Sequence, residues 1–258
     1  MLFEIVGLTK AFGGLTAVDS VDMQVREGEI RAVIGPNGSG KTTLLSLISG
    51  VYKPTSGTIR FMDKPVTGLP PYTLTRKGIG RTFQNIRLFN SLTVLQNVMV
   101  ARHCRTKATL AEDILALPRS RREEREMRER ALTYLEFVGI ADKRDVLGLN
   151  LSYGQRRLVE IARALGTEPK LLLLDEPAAG LSETAIVRID EGMRKIRDAG
   201  ISIIVVEHNM RFVMDICDTI TVLDFGKKIA EGTPEECRNN PRIIESYLGG
   251  KVGSSAQA

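Results

Sequence analysis

The chain has no tryptophan, only two histidines and only three cysteines among its 258 residues. Cys104, Cys217 and Cys237 lie far apart, are odd in number and lack metal-ligand spacing. A disulfide scaffold and a zinc finger are therefore excluded, and all three read as reduced thiols. Long apolar runs are also missing. The longest are stretches such as Leu171–Leu174 and Ile201–Val206, far short of the roughly 20 residues that cross a bilayer. The opening MLFEIVGLTK puts Glu4 where a signal peptide would be apolar, and no cleavage site follows, so the expectation is a cytoplasmic protein. There is no internal repeat, and no low-complexity segment before the tail.

Charge of one sign is scarce too: 36 basic against 31 acidic residues leave +5. The densest charged stretch, Arg119 to Arg130, mixes both signs. On a helix it sets Arg122 with Glu126, Glu124 with Arg128 and Glu126 with Arg130 at i,i+4. That makes a solvated helix face, not a phosphate-binding stripe, and nucleic acid is not an expected partner.

What is present is an ordinary globular composition, 43% hydrophobic and 26% charged, enough to bury a core without staples. Short β-rich runs alternate with helical stretches, which predicts an α/β domain with a mainly parallel sheet. The expected strands are Ile30–Ile34, Ile79–Phe83, Lys170–Leu174, Ser202–Val206 and Thr219–Asp224. Residues 85–165 are helix-prone and rich in charge, and read as a helical subdomain inserted into a core made of residues 1–84 and 166–248. Thr233-Pro234-Glu235-Glu236 has the form of a capping box with proline at the first helical position, opening a helix to about Tyr247. Residues 249–258 read as a flexible tail.

The strongest local signal is Gly35-Pro36-Asn37-Gly38-Ser39-Gly40-Lys41-Thr42, followed by Thr43. It follows an apolar strand and precedes a helical run, the context a phosphate-cradling loop requires. The glycines let backbone N–H groups turn toward phosphate oxygens, and the helix adds its positive end. Lys41 would neutralise the β- and γ-phosphates, and the Thr42 hydroxyl would ligate Mg²⁺. Alone, the loop does not separate a kinase from a GTPase or a motor.

Lys170 to Pro177 is a strand ending in two acids, at the sheet edge where ligands sit in parallel folds. Asp175 can hold Mg²⁺ through its water shell, and Glu176 can polarise an attacking water. A third signal is Leu151-Ser152-Tyr153-Gly154-Gln155 before another helical run. Ser152 is a plausible N-cap, and Gly154 leaves room for a phosphate at that helix start. The chain thus carries two phosphate grips and one carboxylate pair.

The segments GPNGSGKTT, TFQN, LSYGQ, LLLLDEP and the pair Glu207-His208 stand in the order found in ABC transporter ATPase subunits, which the chain resembles over about residues 5–248. RTFQNIRLFNSLTVLQNVMVARH, DEPAAGLS and KKIAEGTPEE resemble the subunit of branched-chain amino acid importers. The resemblance implies a P-loop NTPase (RecA-like) core with a helical subdomain, and ATP with Mg²⁺ as ligands. It implies that Phe12 stacks on adenine, the alternative being an ordinary half-buried aromatic. Gln84 would contact Mg²⁺ or the attacking water. His208 would hold the γ-phosphate and Glu176, while His103 reads as a surface residue. Ser152, Gly154 and Gln155 would grip a nucleotide held by a second cassette, identical or homologous. Transmembrane permease subunits would dock on Asn85–Val98 through Ile86, Leu88, Phe89, Leu92 and Leu95, whose alternative is simple packing of the lobe. A substrate-binding protein would act indirectly, and the site of action would be the cytoplasmic face of the inner membrane. Two departures stand out: Tyr153 replaces a glycine of the general signature, and Ser182 stands where the D-loop usually has aspartate. A lipid or lipopolysaccharide exporter and a soluble cluster-assembly ATPase are the alternative functions.

Overall fold

The computed structural model describes residues 1–82, 86–105, 118–238, 240, 241 and 243. The chain opens with strands β1 (Phe3–Phe12), β2 (Leu15–Val25) and β3 (Ile30–Ile34), then helix α1 (Lys41–Ile48). Strands β4 (Ser56–Phe61) and β5 (Lys64–Pro65), helix α2 (Pro71–Lys77) and strand β6 (Ile79–Arg81) follow. Next come helices α3 (Val94–Arg102), α4 (Pro118–Phe137) and α5 (Tyr153–Gly166). The remainder alternates: β7 (Leu171–Asp175), α6 (Glu183–Asp198), β8 (Ser202–Val206), α7 (Met210–Ile216), β9 (Thr219–Asp224), β10 (Lys227–Gly232) and α8 (Pro234–Arg238).

Six strands form one sheet in the order β10-β9-β3-β8-β7-β6, parallel except for the β10–β9 pair. Its central strands are buried on both faces, and alternate residues serve different cores, as the period of two demands. Leu172 and Leu174 of β7 face one apolar cluster, and Leu171 and Leu173 face the other. Ile203 and Val205 of β8 likewise oppose Ile204 and Val206. Both-sided burial makes these strands continuous apolar runs, which is why they are readable in the sequence. The expected strand at Lys170–Leu174 lies one residue later, and the one expected to reach Phe83 ends at Arg81 among the described residues.

A second sheet was not anticipated: β2-β1-β4-β5, antiparallel throughout. Phe3, Ile5, Val21 and Ile59 from this sheet enclose Leu44, Leu45, Leu47 and Ile48 of α1, with the parallel sheet on the other side. Helix α1 is therefore clamped between two sheets, and the loop before it rides on a fixed support. On the opposite face of the parallel sheet, Val94, Leu95 and Val98 of α3, Ala131 and Leu135 of α4, and Leu158 and Ile161 of α5 complete the other cluster. Among the described residues of 86–149 the only sheet-like pairing is an isolated bridge between Thr93 and Leu147.

The capping box at Thr233 forms as expected: Thr233 N–H donates to Glu236 Oε2 at 2.7 Å, and Glu236 N–H to Thr233 Oγ1 at 3.3 Å. The helix end near Tyr247 and the tail lie outside the described residues. On α4, Arg122 pairs with Glu126 at 3.1 Å as its spacing predicts. No helix of the described residues is long and apolar enough to cross a membrane.

Candidate active site

The phosphate loop joins β3 to α1. Gly40, at the start of α1, has φ +97°, and a Cβ there would run into the Ala17 carbonyl oxygen. Only glycine satisfies both conditions. No side chain caps this helix start, so its first N–H groups stay available to an anion. The turn between β9 and β10 braces the loop: Gly226 N–H donates to the Ser39 carbonyl at 3.1 Å. Lys41 Nζ donates to the carbonyls of Gly35 and Pro36, both at 2.8 Å. Burial holds the Lys41 ammonium below its ordinary pKa, with the carboxylates of Glu176 and Asp175 pulling the other way. The Ser39 hydroxyl is buried without a hydrogen-bond partner among the described residues. An orphaned hydroxyl in a loop of exposed Asn37 and Gly38 fits a triphosphate.

At the end of β7, Asp175 is 2% exposed. Arg81 reaches its Oδ2 at 3.1 Å and also donates at 2.7 Å to Oγ of Ser49, the residue just past α1. Burial pushes the Asp175 carboxyl up, and Arg81 pulls it back. The Asp175 carboxylate and the Thr42 hydroxyl, which is exposed at the start of α1, are hard oxygen donors of the kind Mg²⁺ takes beside phosphate oxygens. Gln84 lies outside the described residues.

Glu176 follows with φ +46°. Its Oε1 lies 3.7 Å from His208 Nδ1, longer than a hydrogen bond but within a small closure of one. Between them the structure reveals a brace that sequence reasoning missed. Glu207 is fully buried. One oxygen accepts from Ala178 N–H at 2.7 Å, and the other from His208 N–H at 3.0 Å. A single carboxylate thus fixes the loops that carry Glu176 and His208. Its sequence signals were its place beside His208 in the ordered segments and the fact that it ends the apolar run ISIIVV, as Asp175 ends its own.

Ser152 caps α5 in a full capping box: its Oγ accepts from Gln155 N–H, and Gln155 Oε1 accepts from Ser152 N–H at 3.0 Å. A Cβ at Gly154 would meet only Leu181 and Ala185, at 3.5 and 3.7 Å. Nothing inside the chain demands glycine there. Ser152, Gly154 and Gln155 line a cleft of about 390 Å³ with Gly180, Leu181 and Ser182, and none of residues 35–43 contributes to it. Ser182, at the D-loop position, caps α6 by accepting from Ala185 N–H.

Phe12 is 42% exposed, set edge-on to Tyr52 with centroids 5.3 Å apart. Lys10 Nζ lies 4.9 Å from its ring centre. His103 is exposed, as expected. In the segment after Gln84, Asn97 is fully buried and organises the turn: its Oδ1 accepts from Phe89 N–H at 2.9 Å, and its Nδ2 donates to the Phe89 and Thr93 carbonyls, both at 3.0 Å. Phe89 is 47% exposed, with the Arg163 guanidinium against its ring. Of the two readings of Leu95, packing of the lobe holds: it is buried in the lobe core and offers no surface for docking.

A family model for the ABC transporter matches residues 18–179, and one for the branched-chain amino acid ATP-binding cassette transporter matches residues 227–252. The high-affinity branched-chain amino acid transport ATP-binding protein LivG of Salmonella typhimurium is 44% identical, covering 96% of this chain and 98% of that one. BraF of Pseudomonas aeruginosa, which bears the same description, is 41% identical over the same shares. The solved ADP conformation of MJ1267, an ATP-binding cassette of an ABC transporter, matches with TM-score 0.84 at 34% identity, covering 96% and 98% of the two chains. The dimeric structure of MJ0796, a bacterial ABC transporter cassette, matches with TM-score 0.76 at 27% identity, over 90% and 99%. Likeness at this level, running along almost the whole of both chains, makes this chain a member of the ABC transporter family, one of its ATP-hydrolysing cassettes.

Proposed function

We propose that this chain is the energy-coupling subunit of an importer for branched-chain amino acids, and that it works as half of a cassette dimer. The observation that carries the dimer is the split between the two phosphate grips: the cleft at Ser152, Gly154 and Gln155 contains no phosphate-loop residue. A γ-phosphate on Lys41 therefore needs a second chain's signature to cover it. The cargo reading is supported by the match of residues 227–252 and by relatives 41–44% identical along nearly their whole length.

In this reading residues 35–43 cradle ATP, and Lys41 exchanges its two loop carbonyls for phosphate oxygens. Thr42, Asp175 and Gln84 would hold Mg²⁺, which would supply charge neutralisation to the phosphates. Glu176 accepts the proton of the attacking water. His208 closes the gap to Glu176 and holds the γ-phosphate in line. Phe12 stacks on the base. Driving the pair of cassettes from 1:99 open to 99:1 closed takes about 5.5 kcal/mol. Divided over two sites, that is roughly what one charge-assisted hydrogen bond at each supplies. Residues 85–165 act as the lobe that carries the signature. The permease's cytoplasmic segment would dock on 85–98 around exposed Phe89, with the substrate-binding protein acting through the permease. The chain would then lie peripherally on the cytoplasmic face of the inner membrane.

The test is Glu176→Gln. It should retain ATP binding, lose phosphate release, and elute as a dimer on gel filtration with Mg-ATP. Turnover at the wild-type rate contradicts the base assignment. A protein that stays monomeric when saturated with nucleotide contradicts the split site. For the cargo, membrane vesicles carrying the complex should accumulate radiolabelled leucine, and the same vesicles with Lys41→Ala should not.

A further inference from the structure

Helix α5 carries two adjacent arginines with opposite fates. Arg156 points outward and donates to the Leu151 carbonyl at 3.1 Å. Arg157 is 1% exposed and ranks among the largest fully buried side chains of the described residues. Burying a guanidinium costs several kcal/mol unless it is paired and bonded. Its Nη1 pairs with Glu160 Oε2 at 2.9 Å, one turn further on. Its Nη2 leaves the helix altogether and donates to the main-chain carbonyl of Glu176 at 2.9 Å.

That carbonyl belongs to a strained residue. Glu176 has φ +46°, a left-handed conformation that costs a residue with a Cβ roughly 1–2 kcal/mol. Such conformations persist only where the surroundings over-determine them. Here three bonds do so: Glu176 N–H donates to the Val206 carbonyl at 2.9 Å, and its own carbonyl accepts from Arg157 and from Ala179 N–H at 3.2 Å. Two of the three come from the sheet and the following turn. The third comes from the signature helix, one turn beyond Gly154.

We propose that Arg157 is a positioning residue for the Glu176 carboxylate, gripping the Glu176 main chain from the signature helix. A phosphate closing on Ser152 and Gly154 of a chain then acts, through one turn of α5, on the glutamate of that same chain. This rests on the assignment of Glu176 as the catalytic base. Glu160 serves as the counter-ion that makes a buried guanidinium tolerable.

The experiment uses the full chain with Arg157→Met combined with Glu160→Met, alongside Arg157→Lys and Glu176→Gln. Replacing both members of a buried pair by apolar residues is often neutral for folding, while it removes the donor to Glu176. The double variant should lose kcat by roughly 10–100-fold with KM and nucleotide affinity little changed, the effect of a small misplacement of the base. Arg157→Lys, which keeps one charge but not the fork, should recover part of that loss. A folded double variant with wild-type kcat overturns the proposal, as does a loss shared equally by kcat and ATP affinity. If the double variant does not fold, Arg157→Lys decides: an unchanged kcat overturns the proposal, and a lowered kcat at constant KM supports it. Wild-type turnover in Glu176→Gln would instead remove the base assignment. A dead Glu176→Gln beside full-rate Arg157 variants would remove only the role given to Arg157.

Discussion

Helices α1 and α5 both begin at a glycine-containing turn, yet the two starts are finished differently. The start of α1 has a left-handed Gly40 and no side-chain cap. The start of α5 is closed by the reciprocal bonds of Ser152 and Gln155. An uncapped start clamped between two sheets is left incomplete for a ligand that the same chain binds. A capped start on a lobe is complete in the free chain, and in the proposed function its serine turns to a nucleotide held by a second chain. If the proposed function holds, the contrast separates a grip that works alone from one that works only in company.

The sharpest way to break this contrast is Lys41→Ala. Removing the cation from the uncapped start should weaken ATP binding by roughly 10–100-fold, the worth of a charged hydrogen bond, measured by calorimetry on the single chain. Affinity at the wild-type level would mean that α1 and its loop bind phosphate without their charge. Gly40→Ala comes next. A left-handed residue with a Cβ costs roughly 1–2 kcal/mol, and the collision with the Ala17 carbonyl adds to it. The urea midpoint should fall accordingly, with ATP affinity falling too. Ser152→Ala is the mildest. Loss of the cap should lower stability by about 1 kcal/mol and leave single-chain ATP affinity unchanged. In a Glu176→Gln background it should weaken the Mg-ATP dimer seen by sedimentation. Equal damage to single-chain affinity would erase the distinction between the two starts.

Much of this was legible because it is local. Strands β3, β8 and β9 match their expected bounds to the residue, since strands buried on both faces show as short runs rich in β-branched and apolar residues. The two capping boxes at Ser152 and Thr233 depend on residues three apart. The antiparallel sheet was not legible, because β1 breaks its own alternation: Gly7 has φ +58° and the pairing with β2 shifts register between Ile5 and Leu8. Its partners are also remote, as with Phe3 opposite Phe61. Among site residues, the phosphate loop stands out by spacing alone, Asp175 and Glu176 stand out once that loop is seen, and the fold brings Glu176 within 3.7 Å of His208. Arg81, Glu207 and Arg157 did not stand out, because each acts through a main chain or a carboxylate far away in sequence. The one clue for Arg157 was an opposite charge three residues on, set among Leu158 and Ile161 on a face otherwise apolar.

In the proposed function the ring of Phe12, edged by Tyr52 and flanked by the Lys10 ammonium, is the surface on which the base stacks. A ring stacked on another is held by its face, and every base has one. Hydrogen-bonding edges, where adenine and guanine differ, go unread at such a platform. The machine should therefore run on guanosine triphosphate nearly as willingly as on its adenine counterpart, leaving its choice of energy currency to whichever purine is more abundant around it.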